Sequence, residues 1–347
     1  MVPKKETNNE KNISLSQRIQ EIIESTKKEF GEESASTLED SGKCGRNSLS
    51  TGSLLLDRIT DTNGFVYGTI VEIFGQPGVG KSTLALQAIR ECQKQEKMTA
   101  YIDLENKLGK NNDYAKNIGV KTEEVIKFEA QGGEEVFSFI DKGIEAGVSL
   151  FVIDSVPALV SKAHLEKGPE GQGIASKARL ISERLPITNL KMRGKEVILI
   201  FINQVREDLS SGLFGPKITT PGGWTLDFHA SLRIMLKPKE ILQKGTERIG
   251  TKIQATIMKN SFGFQGKKAE LEIIFGKGIQ KEREIVDLAT ELNIIQKSGN
   301  WYSYKEHKLG NGKENVTDYF VENPQFCEKI EKEVSKKLDE NKIKAKL

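Results

Sequence analysis

An α/β fold built on a mostly parallel, doubly wound sheet is predicted by two observations. Apolar, β-branched runs at 69–74, 98–104, 125–128, 149–154 and 196–202 alternate with helical segments near 81–95, 133–146 and 173–193. That is the pattern of strands covered on both faces by crossover helices. Between the first strand and the first of these helices lies Gly75-Gln76-Pro77-Gly78-Val79-Gly80-Lys81-Ser82. Its G-x-x-x-x-G-K-[ST] pattern is that of a phosphate-cradling loop.

Composition sets the frame. A chain of 347 residues has room for about two domains at ~150 residues each. With 37% hydrophobic and 29% charged residues it can bury a sizeable core. Lys and Arg total 52 against 49 acids, a net +3, which by itself announces no nucleic-acid partner. No run approaches the ~18 apolar residues of a membrane span, and the polar start predicts no secretory signal. Cys44, Cys92 and Cys327 are scattered and odd in number, as expected of reduced thiols in the cytoplasm. His164, His229 and His307 show no zinc-ligand spacing.

The elements follow in order. Residues 1–12 are polar, with the composition of a disordered terminus. From residue 13, Leu15, Ile19, Ile22, Ile23 and Phe30 recur at helical spacing, giving an amphipathic helix that ends at Gly31. A polar linker to residue 53 keeps this helix from folding straight back, so its apolar face must dock on its own body or on a neighbouring subunit. A core over 54–278 carries the alternating block, a Gly/Pro-rich loop after 204, and further strands at 230–236, 251–258 and 269–275. Residues 279–332 read as a small α+β domain with a helix at 283–293 and a WYSY cluster, and 333–347 as a charged tail.

Chemistry concentrates at the loop. Its glycines let backbone N–H groups point at phosphate oxygens, and the following helix N-terminus adds partial positive charge. ATP bound along Gly75 to Thr83 would meet Lys81 at its β- and γ-phosphates, with the Ser82 hydroxyl on Mg²⁺. Asp154, closing the strand SLFVID, is placed to hold the magnesium through water. Glu105, just past the strand MTAYIDL, is the candidate base or polariser of the attacking water. Asp103 reads as a supporting carboxylate.

Taken together, the loop, YIDLE, LFVIDSVPAL, ILIFINQVR, STGSLLLD and NWYSYKEHKLGNGK are similar to segments of the bacterial RecA-type recombinases, in order over about 13–330. The resemblance implies a RecA-type ATPase core, an N-terminal polymerisation helix on the adjacent subunit and a C-terminal domain that binds duplex DNA. It implies a helical filament on single-stranded DNA with ATP, pairing with homologous double-stranded DNA, strand exchange, and activation of repressor self-cleavage in the SOS response. Residue by residue, Tyr114 resembles the tyrosine stacked on adenine and Gln204 the γ-phosphate sensor. Lys259 resembles one of a lysine pair reaching the phosphate across the subunit interface. Loops at about 167–174 and 205–223 resemble the DNA-binding loops. Ile174 matches a wedge between bases, and Arg179, Ser182, Arg206, Gly222 and Gly223 match DNA-contacting positions. Lys305, Lys308 and Lys313 beside Trp301, Tyr302 and Tyr304 form a basic patch whose aromatics read as core.

The sequence also departs from the family pattern. Asn106 and Gly109 stand where the family typically has His and Asp; the resemblance implies that this aspartate helps hold adenine, so its replacement by Gly109 predicts a relaxed hold on the base. Pro186 falls where a basic DNA contact is usual and predicts a helix kink. The second loop opens Arg206-Glu207-Asp208 and ends at Trp224, so acids weaken phosphate binding while an indole offers stacking. Ser261 cannot supply the second charge of the lysine pair. The basic end KKLDENKIKAKL predicts weaker self-inhibition of duplex binding than an acidic tail gives. These departures suit a divergent host copy and a phage- or mobile-element-borne copy equally. Two other outputs share the core. One is a filament scaffold with ATP as an assembly switch; the other is a ring helicase, which the N-terminal helix and linker disfavour.

Overall fold

A computed structural model describes residues 14–31, 34–38, 47–108, 112–161, 173–208, 217–221 and 223–344. The expected disordered stretch 1–12 lies outside them. So do 167–172 of the first expected DNA loop, and 209–216 and Gly222 of the second.

The chain divides into two units, 1–46 and 47–347. In the first, α1 (Leu15–Phe30) starts with a capping box: Gln17 N–H donates to Ser14 Oγ while Ser14 N–H donates to Gln17 Oε1. Leu15, Ile22 and Phe30 are 76%, 66% and 69% exposed, so the apolar stripe read from the sequence is solvent-facing in the single chain. The expected linker to residue 53 ends earlier than its composition suggested. Leu49, Thr51 and Ser53 are fully buried in the second unit, where β1 (Ser48–Leu49) pairs with β2 (Phe65–Val66) and Ser53 caps α2 (Leu54–Ile59).

A nine-stranded sheet organises that unit. Its strands are β3 (Thr69–Gly75), β4 (Thr99–Asp103), β5 (Val125–Phe128), β6 (Leu150–Asp154), β7 (Ile198–Gln204), β10 (Leu232–Lys244), β11 (Glu247–Asn260), β12 (Lys268–Ile274) and β13 (Gly278–Ile279). They run in the order β13-β12-β11-β10-β3-β7-β6-β4-β5. From β10 to β5 all pairings are parallel, and the β10–β13 side is antiparallel. Strand alternation gives each face its own core. Val71, Ile73, Ile200 and Ile202 pack with α3 (Lys81–Lys94). Ile70, Leu199 and Phe201 pack with α5 (Gly133–Glu145) and α6 (Gly173–Lys191). Between them, α4 (Asn112–Asn117) follows β4. Helix α6 runs unbroken through Pro186.

Where sequence suggested only a Gly/Pro-rich loop after 204, its stems pair. Strands β8 (Arg206–Asp208) and β9 (Lys217–Thr219) form an antiparallel ribbon, and the short helix α7 (Gly223–His229) follows.

The third core belongs to α8 (Lys281–Glu291), the small sheet β14 (Gln296–Ser298), β15 (Trp301–Tyr304) and β16 (His307–Asn311), α9 (Lys313–Glu322) and α10 (Pro324–Lys344). Tyr302 and Tyr304 are buried in it, whereas Trp301 is 54% exposed. Helix α10 continues past residue 332, the expected end of this domain, into the expected charged tail at 333–347. Val334 and Leu338 are buried, and Lys337 Nζ donates to Leu292 O at 2.6 Å. That part of the expected tail is structural.

A buried acid joins α8 to α2. Glu284 accepts from Ser53 Oγ at 2.7 Å and from Leu55 N–H at 3.3 Å. Burial pushes it up to about 8 against those bonds, and nearby Asp57, raised by burial to about 6, adds repulsion. A raised carboxyl binds its proton more tightly when folded, so stability falls as pH climbs from the ordinary carboxylate range to about 8. The slope is at most about 1.4 kcal/mol per pH unit for one proton. Melting temperature should therefore drop between pH 6 and pH 9, and Glu284→Gln should flatten that drop. An equal slope in the variant would remove Glu284 as its source.

Candidate nucleotide-binding site

The carboxyl ends of four neighbouring parallel strands converge on one cleft. Register aligns Gly75 with Gln204, Ile202 with Asp154, and Asp154 with Asp103. Because β3 and β4 are separated by β7 and β6, the chain crosses over here, and such an edge of an open sheet is where ligands bind. The cleft measures about 240 Å³ and is lined by Gly78, Lys81, Ser82, Glu105, Asp154 and Gln204, among others.

The phosphate loop leaves β3 at Gly75 and enters α3 at Lys81. No side chain fits at Gly75, since a Cβ there would lie 2.3 Å from Leu236 O. Gly80 caps the helix at φ +95°, without a side-chain cap, so first-turn N–H groups face the cleft unpaired by a cap. Lys81 is buried, and its Nζ donates to Gly75 O at 3.0 Å and Gln76 O at 2.7 Å, spanning the loop. Burial lowers its pKa, opposed by the charges of Asp154 and Glu105.

Ser82 Oγ donates to Asp154 Oδ2 at 2.7 Å, and Tyr101 Oη donates to the same oxygen at 2.6 Å. Burial raises the Asp154 pKa, and these two bonds work against that shift. A hydroxyl and a carboxylate already in contact form an oxygen donor set of the kind a hard divalent cation takes, so the residues fit Mg²⁺. Lys81 and the uncapped helix start fit a polyphosphate.

Glu105 sits just beyond β4. It accepts from Ser155 Oγ and pairs with Lys107 Nζ. Burial pushes its pKa up, but the bonds from Lys107 and Ser155 and the charge of Lys81 outweigh it, leaving the carboxyl below its usual range. Glu105 is therefore an anion at neutral pH. Asp103 turns away, accepting from the N–H groups of Lys107 at 3.0 Å and Leu108 at 2.9 Å, which fixes the turn that presents Glu105.

Other expected residues lie elsewhere. Tyr114 is half-buried against the first core, its hydroxyl 2.6 Å from Thr83 Oγ1. Lys259, on β11, does not line the cleft of its own chain. Its Nζ donates to Asp227 O and Phe228 O at the end of α7, at 2.7 and 2.8 Å. Arg179 is 82% exposed at the side chain and pairs with Glu183 at 2.7 Å. Ser182 Oγ bonds Ala178 O at 2.7 Å and meets Thr225 Oγ1 at 2.6 Å. The side chains of Ile174 and Arg206 lie outside the described residues, as does the surrounding of Gly223. Of the basic patch, Lys313 pairs with Asp287 at 2.5 Å and Glu272 at 3.3 Å. Lys308 lies 5.9 Å from the Trp301 ring.

Reading the sequence missed Tyr101, Ser155 and Lys107 as partners of the acids. Alternation along β4 places Tyr101 and Asp103 on one face, a signal that could have found the tyrosine. The contacts of Lys107 and Ser155 arise from a turn and had no such signal.

Residues 17–280 match the RecA N-terminal domain and residues 283–339 the RecA C-terminal domain. The chain belongs to the RecA family. It is 37% identical over 337 residues to Protein RecA of Caldanaerobacter subterraneus subsp. tengcongensis, covering 96% of this chain and 97% of that one. Protein RecA of Macrococcus caseolyticus is 37% identical over 318 residues, covering 91% and 89%. Protein RecA of Legionella pneumophila is 38% identical over 296 residues, covering 85% and 84%. Membership in the RecA family makes the chain a P-loop, DNA-dependent ATPase and a recombinase that drives ATP-dependent DNA strand exchange in recombination and repair. Among the described residues no helix is long and apolar enough to cross a membrane.

Proposed function

We propose that the cleft between β3, β7, β6 and β4 is the ATP site of that reaction, with roles divided among its residues as follows. Lys81 and the N–H groups of the loop and α3 hold the β- and γ-phosphates. Ser82 holds Mg²⁺ and Asp154 supports it, a cation that neutralises phosphate charge when bound. Glu105, ionised and held by Ser155 and Lys107, orients and polarises the attacking water. Gln204, at the end of β7 in the same cleft, bonds the terminal phosphate and loses that bond on hydrolysis. The observation that carries this reading is the convergence of these five side chains on one cleft from the ends of three separate strands and the start of a helix.

The same reading gives α1 its partner. Its exposed Leu15, Ile22 and Phe30 cover an apolar surface of the next subunit, building a helical filament. Lys259, outside its own cleft, then reaches the nucleotide of a neighbour, and Tyr114 lies along the adenine. The segments 167–174 and 205–223, with Arg179, Ser182 and Arg206, bind single-stranded DNA by its backbone. Trp224, 84% exposed, supplies a stacking face. The protein acts in the cytoplasm, on single-stranded and then duplex DNA, and a self-cleaving repressor is a further partner of the filament.

Titrating single-stranded DNA with ATP over a range of salt tests the loop assignment. Log affinity should fall linearly with log salt, losing orders of magnitude between about 50 and 200 mM, because phosphate contacts release counterions. A flat response would remove the loops from DNA binding.

A further inference from the structure

Neighbouring residues of one strand face opposite sides of a sheet, and the end of β7 shows this at a consequential place. Gln204 lines the nucleotide cleft on the α3 face. Asn203 points to the other face, is fully buried, and there meets a charge network that the ATP site does not use. Its Nδ2 donates to Glu72 Oε1 at 2.7 Å and to Pro221 O at 2.7 Å. Its Oδ1 accepts from the backbone N–H of Gln204 at 2.9 Å.

Glu72 lies in the middle of β3, three residues before the phosphate loop, and is also fully buried. Its second oxygen accepts from Arg233 Nε on β10 at 2.5 Å, with Arg233 directly across the ladder in register. A buried carboxylate of this kind is tolerable only when paired. The same guanidinium pairs with Asp227 on α7 and reaches Thr220 Oγ1 at 3.4 Å. It also lies over the Phe74 ring, 4.9 Å from its centre. Thr220 and Pro221 follow β9, on the returning stem of the 205–223 segment.

We propose that Glu72, Asn203 and Arg233 act together as positioning residues that tie the phosphate-sensing end of β7 to the returning stem of the DNA segment and to α7. The proposal rests on Gln204 being the γ-phosphate sensor and 205–223 a DNA-binding segment. When Gln204 moves with the terminal phosphate, its backbone N–H moves Asn203, and the amide carries the displacement to Pro221. Glu72 and Arg233 form the fixed anchor against which this lever works, because a buried charge contact from Arg233 Nε to one Glu72 oxygen joins two paired strands of the sheet. The planar fork of arginine spans Glu72, Asp227 and Thr220 at once, which a lysine amine cannot do.

The test compares Asn203→Leu, which removes both donors at similar volume, with Arg233→Lys, which keeps a positive charge beside Glu72. Nucleotide affinity is measured without DNA with a fluorescent ATP analogue, and ATP turnover with and without single-stranded DNA. Both variants should hold nucleotide affinity within about twofold yet lose about tenfold of the DNA stimulation, the scale of an ordinary coupling between sites. Wild-type stimulation in a folded variant would overturn the proposal. If Asn203→Leu fails to fold, Arg233→Lys decides, since its buried acid stays neutralised. Gln204→Ala is run alongside. Should that variant keep full stimulation, the sensor reading itself fails; should it lose stimulation while Asn203→Leu and Arg233→Lys keep it, only the lever fails.

Discussion

Glu105→Gln should lower DNA-stimulated ATP turnover by about 10²–10⁴-fold, the usual contribution of a positioned base, while leaving nucleotide-dependent assembly on single-stranded DNA in place. Glutamine keeps the shape and one acceptor oxygen for Ser155. It loses the negative charge that orients and polarises water, and with it the ion pair to Lys107. The pKa of Glu105 lies below the usual range because the bonds from Lys107 and Ser155 and the charge of Lys81 outweigh burial, so at neutral pH there is no protonated fraction to mimic. A turnover assay paired with electron microscopy separates the two effects. Normal turnover would remove Glu105 from the mechanism, and loss of assembly would make it structural.

Lys81→Ala should fail one step earlier. Its ammonium is desolvated, bridges Gly75 O and Gln76 O, and sits among Asp154 and Glu105. A hydrogen bond to a charged group is worth about 1.5–3 kcal/mol, or about 10–10²-fold in affinity. Affinity for a fluorescent ATP analogue should drop by about that factor with the fold intact by circular dichroism. Without Lys81, Gly75 O keeps a bond from Val205 N–H at 3.4 Å and Gln76 is exposed to water, so stability should change little. An affinity within about threefold of wild type would show that the helix N-terminus alone holds the phosphates. The two variants thus divide binding from turnover within one cleft.

How much of this was legible in the sequence depends on range. The strands at 69–75, 150–154 and 198–204 and the helices between them follow from runs of β-branched residues and from the loop motif, both local signals. Lys81, Ser82 and Asp154 could be named because the motif fixes their spacing and a strand end fixes the acid. The network of Glu72, Asn203 and Arg233 could not, since each reads alone as one polar residue in an apolar strand. Only strand order brings β10 beside β3 and β3 beside β7. The partners of Lys313 were hidden for the same reason: sequence placed it in a basic patch beside Trp301, and only tertiary contacts pair it with Glu272 and Asp287. The ribbon of β8 and β9 was hidden by the turn-forming composition around it. Residues 47–53 looked like linker because small polar residues dominate, yet their hydroxyls are consumed in capping α2 and bonding Asp57 and Glu284.

The central claim is that DNA held by the 205–223 segment is felt at the ATP cleft. ATP hydrolysis by the full chain, measured with and without single-stranded DNA under otherwise identical conditions, tests it most directly. The account predicts strong stimulation by DNA, abolished in Glu105→Gln and Lys81→Ala. Equal hydrolysis with and without DNA would contradict it.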